Sequence, residues 1–149
     1  MIQAMRRILS TLSLIALITL ASCVKAVKED PADRFVGTYS FTDSYYVTWG
    51  SASSSFNDSG MFVITKLGPS TIKISNPWNT TATVMANQLN IEPVTQGDNS
   101  GYINYTFTSA SIAGDMLSIS YQGMGSLKHT DGRSYPYMSQ GRITATKQN

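Results

Sequence analysis

The chain has 149 residues, with 11 lysines and arginines, 9 aspartates and glutamates, and a formal net charge of +2 at pH 7. Both Arg6 and Arg7 lie within residues 1–22, so the rest of the chain carries equal numbers of basic and acidic side chains. That balance excludes the strongly basic surface typical of nucleic-acid binding. A single cysteine and a single histidine exclude a disulfide framework and a His/Cys metal site, and we expect no cofactor.

The N-terminal segment has the organisation of an export signal. An apolar run at residues 8–20 follows the two arginines and is too short to span a bilayer comfortably. The run ends in Leu20-Ala21-Ser22-Cys23, which resembles the lipobox of bacterial lipoproteins. The resemblance implies a signal peptide at residues 1–22 and acyl chains on Cys23, which would anchor the protein to a membrane. The alternatives are an uncleaved apolar helix or a cleaved secretory signal.

Residues 24–33 are charged and have no apolar period, so residues 23–33 are predicted to be a flexible, lipidated tether. Within it, Lys28-Glu29-Asp30 resembles the short signal that sends lipoproteins of the Bacteroidetes type to the outer surface, although a charged linker explains the same residues. We therefore expect an outer-membrane location, on the periplasmic face or at the cell surface.

The domain that follows, residues 34–149, alternates between apolar and polar side chains in the manner of β-strands. Residues 35–49 form either one long strand or two strands joined at a bulge near Asp43, which interrupts the apolar face. The serine-rich residues 51–59 are predicted to be a loop, as are residues 96–101 and most of 123–134. Seven further strands are predicted at residues 61–67, 72–74, 81–85, 88–92, 102–112, 116–122 and 137–147.

Eight strands with short turns and no helix after the signal predict an all-β fold. Turns are expected at Gly68-Pro69-Ser70, Ala86-Asn87 and Gly114-Asp115, and Asn76-Pro77-Trp78-Asn79 breaks the strand pattern. Consecutive hairpins favour an antiparallel meander, and closure into an eight-stranded barrel would remove the exposed edges. The alternative is an open β-sandwich.

Several short motifs in this region resemble the calycin-like (lipocalin-like) β-barrel lipoproteins of Bacteroidetes-type bacteria. They are the opening Phe35-Val36-Gly37-Thr38-Tyr39, the turn-and-strand segments at residues 87–91 and 114–119, and the closing Ala145-Thr146-Lys147. The resemblance implies an eight-stranded barrel over about residues 35–147 and carries no activity. Tyr39 stands where lipocalins have a tryptophan.

We find no pattern for catalysis. His129 is the only histidine, and neither a second base nor an activated nucleophile accompanies it. The sequence has no nucleophile elbow and no phosphate-binding loop, and its carboxylates are scattered. We therefore expect neither an enzyme nor a metal site.

Aromatic side chains are the best candidates for a binding site: Trp49, Trp78, Tyr105 and Tyr121. Trp49 should point inward at the end of the barrel, and Trp78 should lie at the rim. They could line a lumen that holds a ligand, or they could be ordinary core residues of a filled barrel. Likewise, Trp78 could bind a guest or act as a lid that plugs the barrel mouth.

Three functions are compatible with these features. The first is a non-enzymatic, lipid-anchored envelope module that binds a small hydrophobic or glycan ligand. The second is a structural lipoprotein that docks another envelope protein, whose identity the sequence does not give. The third is an inhibitor of a lytic enzyme.

Overall fold

The computed structural model describes residues 29–148, which form nine β-strands and no helix. Every pairing between strands is antiparallel. The all-β prediction is confirmed for this part of the chain. The strands are β1 (Gly37–Trp49), β2 (Ala52–Gly68), β3 (Thr71–Ile74), β4 (Thr80–Met85), β5 (Gln88–Ile91), β6 (Val94–Asp98), β7 (Gly101–Ala113), β8 (Met116–Lys128) and β9 (Ser134–Lys147).

All nine strands belong to one sheet, in the order β5-β4-β3-β2-β1-β9-β8-β7-β6. An additional pairing between β5 and β7, at Gln88 and Ser111, closes eight of the strands into a ring. Only β6 lies outside the ring, as the hairpin partner of β7. The arrangement is compatible with a barrel-like fold, and it differs from the two separate sheets of the sandwich alternative.

The short connections follow the sequence prediction. Turns lie at Ala86-Asn87 and Gly114-Asp115, as expected, and at Pro69-Ser70 within the predicted Gly68-Pro69-Ser70, since β2 includes Gly68. Gly114 has φ +60°, a left-handed conformation that glycine adopts without a Cβ clash in a two-residue hairpin. The break at residues 76–79 separates β3 from β4, and its Asn76-Pro77 peptide bond is cis.

The predictions were wrong where polar residues pair in long hairpins. Residues 52–59, predicted as loop, belong to β2 and pair residue by residue with β1. Their side chains are exposed on both faces, so no apolar alternation marks the strand, and the backbone ladder with β1 holds it instead. Similarly, β6 is a ninth strand where the sequence predicted the start of a loop, and β8 continues to Lys128.

The predicted alternative of a bulge near Asp43 is also wrong. The register of β1 against both β2 and β9 runs without a shift from Tyr39 to Trp49. Asp43 therefore stays on the same face as Tyr39, which points into the ring and is fully buried. A carboxylate consequently lies on the inner face of the sheet.

The apolar core fills one end of the ring. It consists mainly of inward-facing aliphatic side chains from β2, β3, β4, β5, β7, β8 and β9, and of aromatic side chains near the start of the domain. The hydroxyl of Tyr39 donates a hydrogen bond to the Phe35 carbonyl oxygen (2.9 Å). The largest fully buried side chains are Phe35, Tyr39, Ile64, Ile72, Ile74, Leu117, Ile119 and Ile143.

Residues 30–33, at the end of the predicted tether, contact the sheet. Ala32 is fully buried, and its backbone N–H donates to the Pro69 carbonyl oxygen (3.2 Å). Lys66 forms ion pairs with Asp30 (2.6 Å) and Asp33 (2.7 Å). The end of the predicted tether is thus attached to the sheet.

Strand length creates the space for a site. β3 and β5 have 4 residues each and β4 has 6, whereas β1, β7 and β8 have 13. The short strands close only one end of the ring, and the long strands continue beyond it. At this transition the inward-facing side chains change from aliphatic to aromatic and polar.

Candidate functional site

A cavity of about 180 Å³ lies where the long strands pass beyond the apolar core. We call it the Asp43 cavity. Side chains of β1, β2, β7, β8 and β9 form its walls, and side chains from the β3–β4 connection and from β6 cover it. Its lining consists of Asp43, Tyr45, Asp58, Pro77, Trp78, Gln96, Tyr105, Tyr121, Tyr137 and Ser139.

Glycines on the neighbouring strands determine how the tyrosines of the cavity lie. Gly141 is the direct partner of Tyr45 on β1 and of Tyr121 on β8. A Cβ atom on Gly141 would lie 2.5 Å from Cζ of Tyr121, so the ring occupies the space that a side chain would need. Gly123 lies beside Tyr105 in the same way, with 3.0 Å between its would-be Cβ and Cε1 of the ring.

Asp43 is the most buried acidic group of the cavity, with 8% of its surface exposed. Its Oδ2 accepts a hydrogen bond from the Tyr121 hydroxyl (2.7 Å), and its Oδ1 has no partner among residues 29–148. Burial raises the pKa of Asp43 above 3.8, the charge of Asp58 acts in the same direction, and the hydrogen bond from Tyr121 opposes them. The hydroxyl of Ser139, 6% exposed, likewise has no partner within the described part of the chain.

A second carboxylate stands near the opening. Oδ2 of Asp58 accepts a hydrogen bond from the Tyr45 hydroxyl (2.9 Å). This bond, together with burial, raises the pKa of Tyr45 to about 12. The Tyr45 ring stacks on Phe56 with 5.4 Å between centroids, which fixes the direction of its hydroxyl.

The remaining wall is aromatic. Trp78, 6% exposed, meets Phe107 edge-on at a centroid distance of 4.6 Å and Tyr121 at 5.2 Å. Tyr105 packs edge-on against Tyr121 at 5.9 Å. Nε2 of Gln96 on β6 donates to the Pro77 carbonyl oxygen (2.8 Å), which ties the ninth strand to the segment that carries Trp78. Trp78 is therefore part of a cover over the cavity.

Three of the four sequence-predicted site residues come together here: Trp78, Tyr105 and Tyr121. Trp49 does not join them. It lines a different, open depression of about 350 Å³ with His129 and Tyr135, and its ring lies 5.3 Å from the His129 ring. Trp49 and Trp78 therefore line different surfaces, because β1 continues beyond the cavity before Trp49 is reached.

Sequence reasoning missed both carboxylates. Asp43 had a signal, since it interrupts an otherwise apolar face between Phe41 and Tyr45, and a charged residue at such a position should be buried with a partner. Asp58 had none, because the segment that carries it has no alternation and was predicted to be a loop. The register between β1 and β9, which local sequence does not show, brings three further residues to the cavity: Tyr45, Tyr137 and Ser139.

The polar atoms that line the Asp43 cavity are suited to hydrogen bonding rather than to metal binding. Within residues 29–148, no group of three or more His, Cys, Asp or Glu side chains is arranged to hold a metal ion.

In the same residues, no helix is long and apolar enough to cross a membrane. Cys23, the predicted lipid attachment site, and the signal peptide lie outside the described residues.

Comparison of the sequence with protein-family models and with curated proteins finds no match in either set.

Proposed function

We propose that the chain is a non-enzymatic binding module that holds a compact ligand in the Asp43 cavity. The observation that carries the proposal is a pair of buried oxygens, Asp43 Oδ1 and Ser139 Oγ, which have no hydrogen-bond partner within residues 29–148 and belong to residues that line that cavity. An unsatisfied buried polar group costs about 1–3 kcal/mol. A ligand that donates to these oxygens would recover that free energy on binding.

The size of the cavity limits the ligand. A cavity of about 150 Å³ accommodates a benzene molecule, and the Asp43 cavity, at about 180 Å³, is of similar size. A long acyl chain or an oligosaccharide would extend well outside it. Of the hydrophobic and glycan ligands suggested by the sequence, only a compact one with donor groups and an apolar face suits the lining.

The proposal includes the anchor and the fold family. Acyl chains on Cys23 would tether the domain to the outer membrane, and the order Leu20-Ala21-Ser22-Cys23 supports this. A ring of eight antiparallel strands is compatible with a calycin-like barrel, as the motifs around Gly37 and Gly114 suggest.

The test follows the indole emission of Trp78. Trp49→Phe leaves Trp78 as the only tryptophan, and small sugars, amines and alcohols are then titrated into the full chain. We expect a saturable change in emission from at least one class, and its loss when Ser139→Phe fills the cavity. Ser134→Phe, at an exposed position of the same strand, is the control. No saturable response from any class would contradict the proposal.

A second candidate function rests on the outer face of the long strands. Met124 and Met138 are cross-strand partners there, and both are more than half exposed. Tyr46 and Tyr102 on the same face are about half exposed. Exposed methionine and tyrosine side chains are common at protein-binding surfaces, which favours the docking of another envelope protein. Nothing among the described residues favours the lytic-enzyme inhibitor.

A further inference from the structure

We infer that the ligand of the Asp43 cavity is a small organic cation, an alkylammonium compound, whose charge is balanced by Asp43 and whose alkyl groups contact the tyrosine rings. The inference rests on the proposed function and specifies the class of ligand. Three properties of the cavity support it: the sign of its charges, its aromatic walls, and the unpaired oxygen of Asp43.

The charges of the lining have one sign. Asp43 and Asp58 are its carboxylates, and none of the described residues that line the cavity is a lysine, arginine or histidine. Asp43 and Asp58 are direct cross-strand partners on β1 and β2, and the charge of Asp58 contributes to raising the pKa of Asp43, so the two neighbouring carboxylates repel each other. A bound cation would relieve this repulsion, whereas an anion such as a fatty acid would add to it.

The walls are of the type that binds ammonium groups. Tyr45, Tyr105, Tyr121 and Tyr137 line the cavity together with Trp78. The faces of aromatic rings attract cations, and cages of tyrosine and tryptophan are the usual recognition site for alkylated ammonium groups. Gly141 and Gly123 leave the space in which the rings of Tyr121 and Tyr105 lie against the sheet.

The unpaired oxygen distinguishes a cation from a neutral sugar. The Tyr121 hydroxyl already donates to Oδ2 of Asp43, but Oδ1 has no partner among residues 29–148. A sugar hydroxyl could donate to Oδ1 and would leave the buried negative charge uncompensated. An organic cation supplies the opposite charge, and an N–H or hydroxyl group on the same molecule can donate the missing hydrogen bond; buried charges in proteins are normally paired.

The test compares two probes of nearly the same shape. Choline carries a trimethylammonium group, and its tert-butyl analogue, with carbon in place of nitrogen, is uncharged. Binding of each to the full chain is measured by isothermal titration calorimetry. We expect choline to bind about tenfold or more tightly than the analogue, since a close charge pair contributes at least that factor.

Two variants locate the charge. Asp43→Asn keeps the shape of the side chain and should weaken choline binding by about tenfold or more while leaving the analogue unchanged. Asp131→Asn is the matched control, because Asp131 lines the separate depression that contains Trp49 and His129. If Asp43→Asn fails to fold, the comparison of choline with its analogue on the unmodified chain still shows whether the cavity prefers a cation.

Equal binding of the two probes would overturn the inference, as would a loss of choline binding in Asp131→Asn instead of Asp43→Asn. If choline fails to bind while a sugar or an alcohol changes the emission of Trp78, the cation inference fails and the binding function stands. If no compound acts in either experiment, both fail.

Discussion

The contact between Tyr121 and Asp43 gives the sharpest test of how the cavity is built. Tyr121→Phe removes a hydroxyl whose only hydrogen-bond partner among residues 29–148 is Oδ2 of Asp43, at 2.7 Å. The rest of the ring keeps its edge-on contacts with Trp78 and Tyr105. The substitution therefore changes one hydrogen bond and leaves the packing in place.

The size of the effect depends on the charge of Asp43. When the carboxylate is ionised, the lost bond is worth about 1.5–3 kcal/mol, and when it is protonated, about 0.5–1.5 kcal/mol. The bond from Tyr121 lowers the pKa of Asp43 against burial, so removing it raises that pKa further above 3.8. A group whose pKa is higher in the folded than in the unfolded state adds stability below its unfolded-state pKa. That added stability is lost as the pH rises through the folded-state pKa. We therefore expect Tyr121→Phe to be more destabilising at neutral pH than in acid.

The assay is urea unfolding followed by circular dichroism at about pH 4 and about pH 7, near and well above the usual pKa of aspartate. Tyr39→Phe is the matched control, because the Tyr39 hydroxyl is also buried but donates to a neutral carbonyl oxygen of Phe35. Its cost should be about 0.5–1.5 kcal/mol at both pH values. A loss for Tyr121→Phe that is the same at both, or smaller at neutral pH, would refute the reasoning.

Three further outcomes are expected. Asp43→Asn should gain stability relative to the unmodified chain as the pH rises above 3.8, because the raised pKa makes the buried carboxylate costly when ionised; parallel pH profiles in urea unfolding would contradict this. Gly141→Ala should lower the free energy of unfolding by about 1–3 kcal/mol, because the new methyl group pushes against the Tyr121 ring. Gly68→Ala should change it little in the same assay, because its new Cβ would be 3.9 Å from the nearest neighbouring atom. Cys23→Ser should release the protein from membranes, and a variant that stays bound through detergent-free washing would refute the lipid anchor.

The alternating segments and turns of the fold could be predicted because each carried a local signal. Residues 35–49 alternate between apolar and polar side chains. Gly114-Asp115 is typical of a tight turn, and Gly114 adopts the left-handed conformation that such a turn needs. The strands that were missed carry no such signal. In residues 52–59 every side chain is exposed, so only pairing with β1, a tertiary contact, makes them a strand.

The candidate site was only partly predictable for a related reason. Tyr105 and Tyr121 were recognised as aromatic residues on buried faces, and they do line the cavity. Their meeting with Asp43 depends on the order of β1, β9, β8 and β7 around the ring, which local periodicity does not contain. Trp49 was expected to point inward at the end of the barrel and Trp78 to lie at its rim, but the two side chains line different surfaces because β1 extends beyond the cavity.

The most direct test of the central claim is to map where a compact guest binds, by following backbone amide chemical shifts of the full chain in solution. Choline and glucose would be titrated separately. The account predicts saturable shifts from at least one of them, centred on Asp43, Tyr105, Tyr121 and Ser139. Shifts confined to Trp49, His129 and Tyr135, or no saturable shift from either compound, would contradict it.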